Sequence, residues 1–195
     1  ADGGLHMPEN MFNEQEAYTG KLIIGEVVTF LNVLKKGGSG FIKMYLPFAE
    51  PYMISLLYLL TTIFREVHLF KPLTSHPSSS EVYVICIGYD KLITQELNDM
   101  FKDKLETWKE GVSHKQYLIP IETISKEFLS SLSRASNFLA ERQKKSIERS
   151  LYYYSHPEEI KNDIEKNQSD CEDLWLKRYL KDIKPKKIDT QIATT

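Results

Sequence analysis

After a predicted loop at 1–14, the apolar positions follow first a helical period and then the pattern of a short strand. From Glu14 to Leu34 they recur at steps of three and four, which is typical of a helix with one buried face. Gly37 and Gly38 follow this helix and are expected to end it. Another apolar stretch begins at Pro51, and proline favours the first turn of a helix, so a helix is predicted over 51–63.

Three shorter apolar runs predict β-strands, at 41–45, 66–70 and 81–88. Because strands and helices alternate, the pattern predicts an α/β fold with a parallel sheet. The last two strands are an exception, because residues 71–80 join them without a helix. A connection this short cannot comfortably cross over between parallel strands, so this pair is predicted to be antiparallel.

Beyond Tyr89 the pattern becomes mostly helical. Helices are predicted over 92–108, 121–154 and 157–180, the second with a break near Ser136. We therefore predict three parts, listed in chain order: a sheet-containing domain at 1–90, a helical extension at 91–183 and a flexible tail at 184–195.

Composition narrows the class of protein. The chain has 195 residues, of which 42% are hydrophobic, so it is able to bury a sizeable core. The two cysteines form neither a disulfide framework nor a zinc spacing, which favours a reducing compartment, and the scattered histidines predict no metal site. The apolar stretch at 51–64 is shorter than a membrane span and predicts a buried helix without a membrane partner.

Three polar residues carry the candidate chemistry, because each lies at or beside a strand-like run. Asp2 stands near the first residue, Lys43 lies in the run that follows the glycines, and Glu81 starts the last strand. Open α/β sheets gather their active sites at strand ends, so these side chains are expected to converge. Because the chain begins right at Asp2, we also expect it to be part of a larger protein.

A set of motifs in a fixed order resembles the second half of the FtsJ-type ribose 2′-O-methyltransferases. The motifs are Asp2-Gly3-Gly4, Asn13-Glu14-Gln15-Glu16, Gly37-Gly38-x-x-Phe41-x-Lys43, Phe70-Lys71-Pro72-x-x-Ser75 and Ser80-Glu81-Val82-Tyr83-Val84. The Gln-Glu pair and the Lys-Pro-x-x-Ser run are similar to the mRNA cap branch, and in detail to cap methyltransferase 2, which acts on the second transcribed nucleotide.

The resemblance implies the C-terminal part of a Rossmann-like sheet with a terminal antiparallel hairpin, followed by a helical extension. It implies that Asp2, Lys43 and Glu81 are the last three members of a Lys-Asp-Lys-Glu catalytic set. It also implies S-adenosylmethionine as cofactor, with Asp2 next to the methyl donor and the main binding loop upstream. Without that loop and the first lysine, this chain alone is expected to be inactive.

The chemistry explains why such residues are needed. A ribose hydroxyl is a poor nucleophile, so the enzyme must orient it and accept its proton. A lysine amine accepts a proton only when it is neutral. Neighbouring positive charges lower its pKa and carboxylates raise it. Lys43 is therefore the predicted proton acceptor or orienting group, with Asp2 and Glu81 positioning it.

Substrate contacts are predicted beside this site. The partner implied by the resemblance is capped mRNA, in the nucleus or the cytoplasm. The candidate contacts for its phosphate and sugar groups are Lys71, Ser75, Ser78 and Ser79, and Tyr45 offers a ring for stacking. Serine and proline also make tight loops, and strand aromatics often belong to a core, so both interpretations stay open.

Two other functions compete with this prediction. One is a ribosomal-RNA 2′-O-methyltransferase of the same family. The other is an inactive methyltransferase-like domain that binds RNA or a protein partner. Retention of Asp2, Lys43 and Glu81 together argues against the inactive domain.

Overall fold

The computed structural model describes residues 1–90, 92–109 and 115–180. The chain divides into two compact units, Ala1–Ile147 and Glu148–Thr195. The predicted tail at 184–195 lies outside the described residues. The predicted division into a sheet domain and a helical extension near residue 90 stays a prediction.

Helices and strands follow the predicted order closely. The α-helices are α1 Gln15–Val33, α2 Pro51–Ile63, α3 Gln95–Thr107, α4 Lys126–Ser155 and α5 Ile160–Tyr179. The strands are β1 Gly40–Tyr45, β2 Phe64–Phe70 and β3 Glu81–Tyr89. Short 3-10 helices cover Glu9–Glu14 and Ile121–Thr123.

One detail of the predicted secondary structure is wrong. Helix α4 continues through Ser136, where a break was predicted. The Ser136 hydroxyl donates a hydrogen bond to the carbonyl of Pro47, so this serine joins α4 to the loop after β1 without interrupting the helix.

The three strands form one sheet in the order β1-β3-β2. Strand β3 is antiparallel to both of its neighbours, which confirms the predicted hairpin of β2 and β3. The prediction of parallel neighbouring strands is wrong for these three strands. Strands β1 and β2 run in the same direction, but β3 lies between them and is hydrogen-bonded to both.

One face of this sheet is the core face. Ile42 and Met44 of β1 and Val82, Val84 and Cys86 of β3 are fully buried there. Helices α1 and α2 contribute their apolar faces to the same core, through residues that include Ile24, Val27, Leu56 and Leu60. Cys86 is a free cysteine of this core, and burial raises the pKa of its thiol to about 12.

Side chains that follow β3 complete the core of the first unit. Phe101 of α3, Trp108, Leu118 and Leu132 of α4 are buried in it. The Tyr52 and Trp108 rings meet edge to face at 4.8 Å. The buried Ser55 hydroxyl accepts a hydrogen bond from the Leu118 backbone N–H at 2.9 Å, so segments after residue 90 are fastened to α2.

The described part of the second unit is helical and largely exposed. Tyr152 donates a hydrogen bond to Glu159 at 2.9 Å, and Tyr153 donates one to Asp163. Several large apolar side chains of α5 are exposed, among them Leu174 and Trp175. None of the helices in the described residues is both long enough and apolar enough to cross a membrane.

Two glycines of α1 should respond in opposite ways to alanine. A Cβ at Gly20 would lie 2.6 Å from the Trp108 ring, whereas one at Gly25 would meet Leu105 at an ordinary 3.8 Å. Gly20→Ala is expected to lower the free energy of unfolding by about 1–3 kcal/mol through overpacking. Gly25→Ala is the matched control and should raise it by up to about 1 kcal/mol, because alanine favours helix. Urea denaturation measures both, and a neutral Gly20→Ala would contradict this packing.

Candidate active site

The first residues lie beside β1 and continue its sheet. The backbone nitrogen of Ala1 donates to the Phe41 carbonyl, and the Lys43 N–H donates to the Ala1 carbonyl at 3.3 Å. Ala1 is thus hydrogen-bonded to the residues on either side of Ile42, which is the pattern of a parallel strand pair. This pairing places Asp2 next to Lys43, at the end of the neighbouring extended segment.

Asp2 and Lys43 form an ion pair in which Lys43 Nζ contacts Asp2 Oδ1. The Lys43 side chain is 18% exposed, so its ammonium is partly shielded, whereas Asp2 is 59% exposed. The hydrogen bond to Asp2 raises the pKa of Lys43 above its ordinary value, against the opposing effect of burial. The charges of Tyr45 and Glu81 act in the same direction.

Glu81 reaches the same edge through the register of the sheet. It lies opposite Tyr45, and its neighbour Tyr83 lies opposite Lys43. The Tyr83 hydroxyl donates to Glu81 Oε1 at 3.0 Å, which orients the carboxylate. Asp2, Lys43 and Glu81 are therefore brought together: Lys43 contacts Asp2, and the charge of Glu81 acts on it from the neighbouring strand. Their catalytic role stays a prediction.

A cavity of about 280 Å³ opens beside Lys43 and Tyr45. The Gly3-Gly4 segment forms one wall and Gln15 and Glu26 lie in another. A Cβ at Gly4 would meet no atom within 4 Å, so this backbone faces open space. The Gly3 N–H donates to the Glu26 carboxylate. The lining thus contains both the Glu26 carboxylate and the Lys43 amine.

The Gln15-Glu16 pair fastens the loops around the site. Glu16 is almost fully buried, and its carboxylate accepts hydrogen bonds from the Ala49 and Glu50 N–H groups at 3.1 and 2.9 Å. Burial raises the pKa of Glu16, while these bonds oppose that shift. Gln15 accepts a hydrogen bond from Ser80. The start of α1 thus holds the loops before α2 and before β3.

Lys71 holds the loop between β2 and β3. Its Nζ donates to the Ser79 carbonyl at 2.9 Å and to the Glu81 carbonyl at 2.7 Å. Burial lowers the pKa of Lys71. With two donors directed at backbone carbonyls, its ammonium fits a structural role in the loop better than a phosphate contact. Phosphate binding by Lys71 stays a prediction.

The other predicted substrate residues are spread along this loop and β1. The Ser78 hydroxyl bonds to His76 at 2.7 Å, and the Ser79 hydroxyl accepts from the Glu81 N–H at 3.2 Å. Ser75 takes part in a turn, through its N–H to the Pro72 carbonyl. Tyr45 is half-buried and lies in the wall of the cavity beside Lys43. Ser78 and Ser79 line a second cavity, whereas Ser75 does not.

Sequence reasoning assigned no role to three residues near the site. The Gln15-Glu16 pair was visible as a motif, but its hydrogen bonds were not predicted. Gln143 of α4 donates to the Ser78 carbonyl at 3.0 Å. A glutamine in a polar helix gives no sequence signal for such a long-range contact.

Comparison with known proteins identifies the protein family of the sheet-containing part of the chain. Residues 1–89 match the model of the family described as FtsJ-like methyltransferase. These residues belong to that family. The three-stranded sheet and its helices agree with the predicted fold class, the C-terminal part of a methyltransferase sheet.

Relatives extend the match further along the chain. "Uncharacterized protein L511" of Acanthamoeba polyphaga mimivirus is 33% identical over 179 residues, 91% of this chain and 22% of the relative. Cap-specific mRNA (nucleoside-2′-O-)-methyltransferase 1 of Caenorhabditis elegans is 31% identical over 188 residues, 92% of this chain and 20% of that protein. The Drosophila melanogaster methyltransferase 2 of the same description is 48% identical over 77 residues, 40% of this chain and 11% of that protein. The chain therefore spans about a fifth or less of the length of these relatives.

Removing the Lys71 ammonium should loosen the loop that carries Glu81. Lys71→Met keeps the apolar stem but leaves two carbonyls without their donor, which is expected to cost about 1–3 kcal/mol. Amide hydrogen exchange of residues 78–82 should then become faster. The exposed Lys102→Met is the matched control. Unchanged exchange in Lys71→Met would show that the ammonium does not hold this loop.

Proposed function

We propose that the protein transfers a methyl group from S-adenosylmethionine to the ribose 2′-OH of a cap-proximal nucleotide of mRNA. The observation that carries this proposal is the cluster of Asp2, Lys43 and Glu81 at one edge of an FtsJ-like sheet. The target is the second transcribed nucleotide. The complete protein that contains these residues acts on capped mRNA in the nucleus or the cytoplasm.

Lys43 orients the 2′-OH and takes its proton. The amine must be neutral to accept that proton, yet Asp2 and Glu81 both favour its ammonium form. A positive charge beside Lys43, such as that of the donor sulfur, would offset this preference for the ammonium form. Asp2 holds Nζ in place, and Glu81, whose carboxylate accepts a hydrogen bond from Tyr83, adds negative charge near the amine.

The chain offers a partial fit to the methyl donor. When bound, S-adenosylmethionine supplies an electrophilic methyl group on a positively charged sulfur. The Gly3-Gly4 backbone, which lines the cavity, and Asp2, which pairs with Lys43, would hold the donor next to Lys43. That cavity of about 280 Å³ suits one end of such a molecule. Other parts of its binding site are expected upstream in the family.

Support for the second nucleotide as target comes from the relatives. The Drosophila methyltransferase 2 shares the highest identity of the three relatives compared, over a shorter stretch than the others. The Gln15-Glu16 pair and the Lys-Pro-x-x-Ser run resemble the same branch, and the structure gives both motifs contacts beside Glu81.

The first experiment follows labelled methyl transfer to capped RNA and maps the modified ribose. Using the complete protein, methylation of the second nucleotide supports the proposal in full. Methylation of the first keeps the mechanism and changes the target. Transfer to ribosomal RNA alone, or no transfer with folded protein and cofactor present, contradicts it.

Replacing Lys43 should abolish activity and leave the fold intact. Loss of a positioned proton acceptor is expected to reduce kcat by about 10²–10⁴-fold or more in Lys43→Ala. Circular dichroism and the melting temperature should stay near those of the wild type. Lys102→Ala, at an exposed lysine of α3, is the control. Near-normal turnover of Lys43→Ala would refute the assignment.

The pH dependence should report on Asp2. The Asp2 hydrogen bond raises the pKa of Lys43, so a higher pH is needed to produce the neutral amine that accepts the proton. Asp2→Asn removes that effect, so the pKa of Lys43 falls and the acidic limb of the kcat/KM profile moves to lower pH. The maximum rate should also fall, since Lys43 is held less firmly. The exposed Glu66→Gln is the control, and an unmoved acidic limb in Asp2→Asn would contradict this role.

A further inference from the structure

A second cavity, of about 430 Å³, also has Gln15 in its lining. Three further segments of the first unit line it: Leu46 and Pro47 after β1, Ser78, Ser79 and Ser80 before β3, and helix α4. Helix α4 contributes Ala140, Gln143 and Ile147. Helix α4 is fastened here by Gln143 to the Ser78 carbonyl and by Ser136 to the Pro47 carbonyl.

The lining of this cavity has the chemistry of a nucleoside site. None of the described residues that line it carries a charge, which disfavours a phosphate group. The serine hydroxyls and the Gln15 and Gln143 amides add polar groups to the lining, several of which also bond within the protein. Leu46, Pro47 and Ile147 provide an apolar surface. A flat ring with polar edges, such as a nucleobase, matches both parts.

The cavity adjoins the candidate active site, because Gln15 lines both this cavity and the one beside Lys43. Ser80, in its wall, directly precedes Glu81, and the Leu46 N–H bonds to the Ser80 carbonyl at 2.9 Å. An RNA strand whose ribose meets Lys43 therefore reaches this cavity with a nucleotide next to the target.

We propose that this cavity binds the base of a nucleotide adjacent to the methylated one, and that Gln143 is a specificity-determining residue. The inference rests on the proposed function. The Gln143 side-chain N–H₂ donates to the Ser78 carbonyl, and this bond fixes the orientation of the amide group and of its oxygen. That oxygen then accepts a hydrogen bond from an edge of the base. The helical segment after the sheet is thereby part of the substrate site.

Filling the cavity tests the proposal. Ala140→Trp places an indole in the space, and Glu141→Trp places the same group on an exposed neighbouring position of α4. In the complete protein, Ala140→Trp is expected to raise the KM for capped RNA about tenfold with little change in kcat or in the KM for S-adenosylmethionine. Glu141→Trp should resemble the wild type. Equal KM values for RNA in all three proteins would overturn the proposal.

Gln143→Ala provides a second variant, which keeps the test valid if the tryptophan disturbs folding. Capped RNAs with a single abasic ribose on either side of the target nucleotide are compared with the intact RNA. In the wild type, one of the two abasic positions should weaken binding about tenfold, while in Gln143→Ala the same position should matter much less. Equal losses in both proteins would show that Gln143 does not contact the base.

Fluorescence anisotropy with the same RNAs separates the two proposals. If the wild type transfers no methyl group to capped RNA, the proposed function fails. The cavity is then still tested by binding alone, through the affinity difference between Ala140→Trp and Glu141→Trp. If methyl transfer occurs but the abasic positions have no effect on affinity, the proposed function stands and this inference fails.

Discussion

The pairing of β3 with both β1 and β2 is the constraint on which the site depends. Its register on β1 sets Glu81 opposite Tyr45 and Tyr83 opposite Lys43, and on β2 it sets Tyr83 opposite Phe70. A shift by one residue would turn Glu81 toward the core face and expose Val82 and Val84. The buried face of β3 therefore fixes the position of the catalytic candidates on its other face.

Much of the fold was predictable because helical and strand periods differ clearly in residues 1–90. The stretch 51–63 gave its helix with the right bounds, and the short connection 71–80 gave the antiparallel hairpin. The order of strands was not predictable in the same way. The insertion of β3 between β1 and β2 depends on long-range pairing, and local periodicity does not record it.

The candidate site was predictable in part, for a similar reason. Strand ends and family motifs brought Asp2, Lys43 and Glu81 to attention, and the structure places them together. A lysine in a serine-rich loop suggests a phosphate contact, yet Lys71 is directed at carbonyls. The contacts of Glu16 and Gln143 span the chain, and a polar residue in a helix does not reveal a distant partner.

The way Lys71 holds its loop bears on how the loop responds to substitution. Its ammonium contacts main-chain oxygens of Ser79 and Glu81, and every residue type supplies such an oxygen. A change of side chain at position 79 or 81 therefore leaves both contacts of the Lys71 ammonium available. The backbone before β3 depends on the residue type at position 71 and not on the residue types at the two positions that it holds.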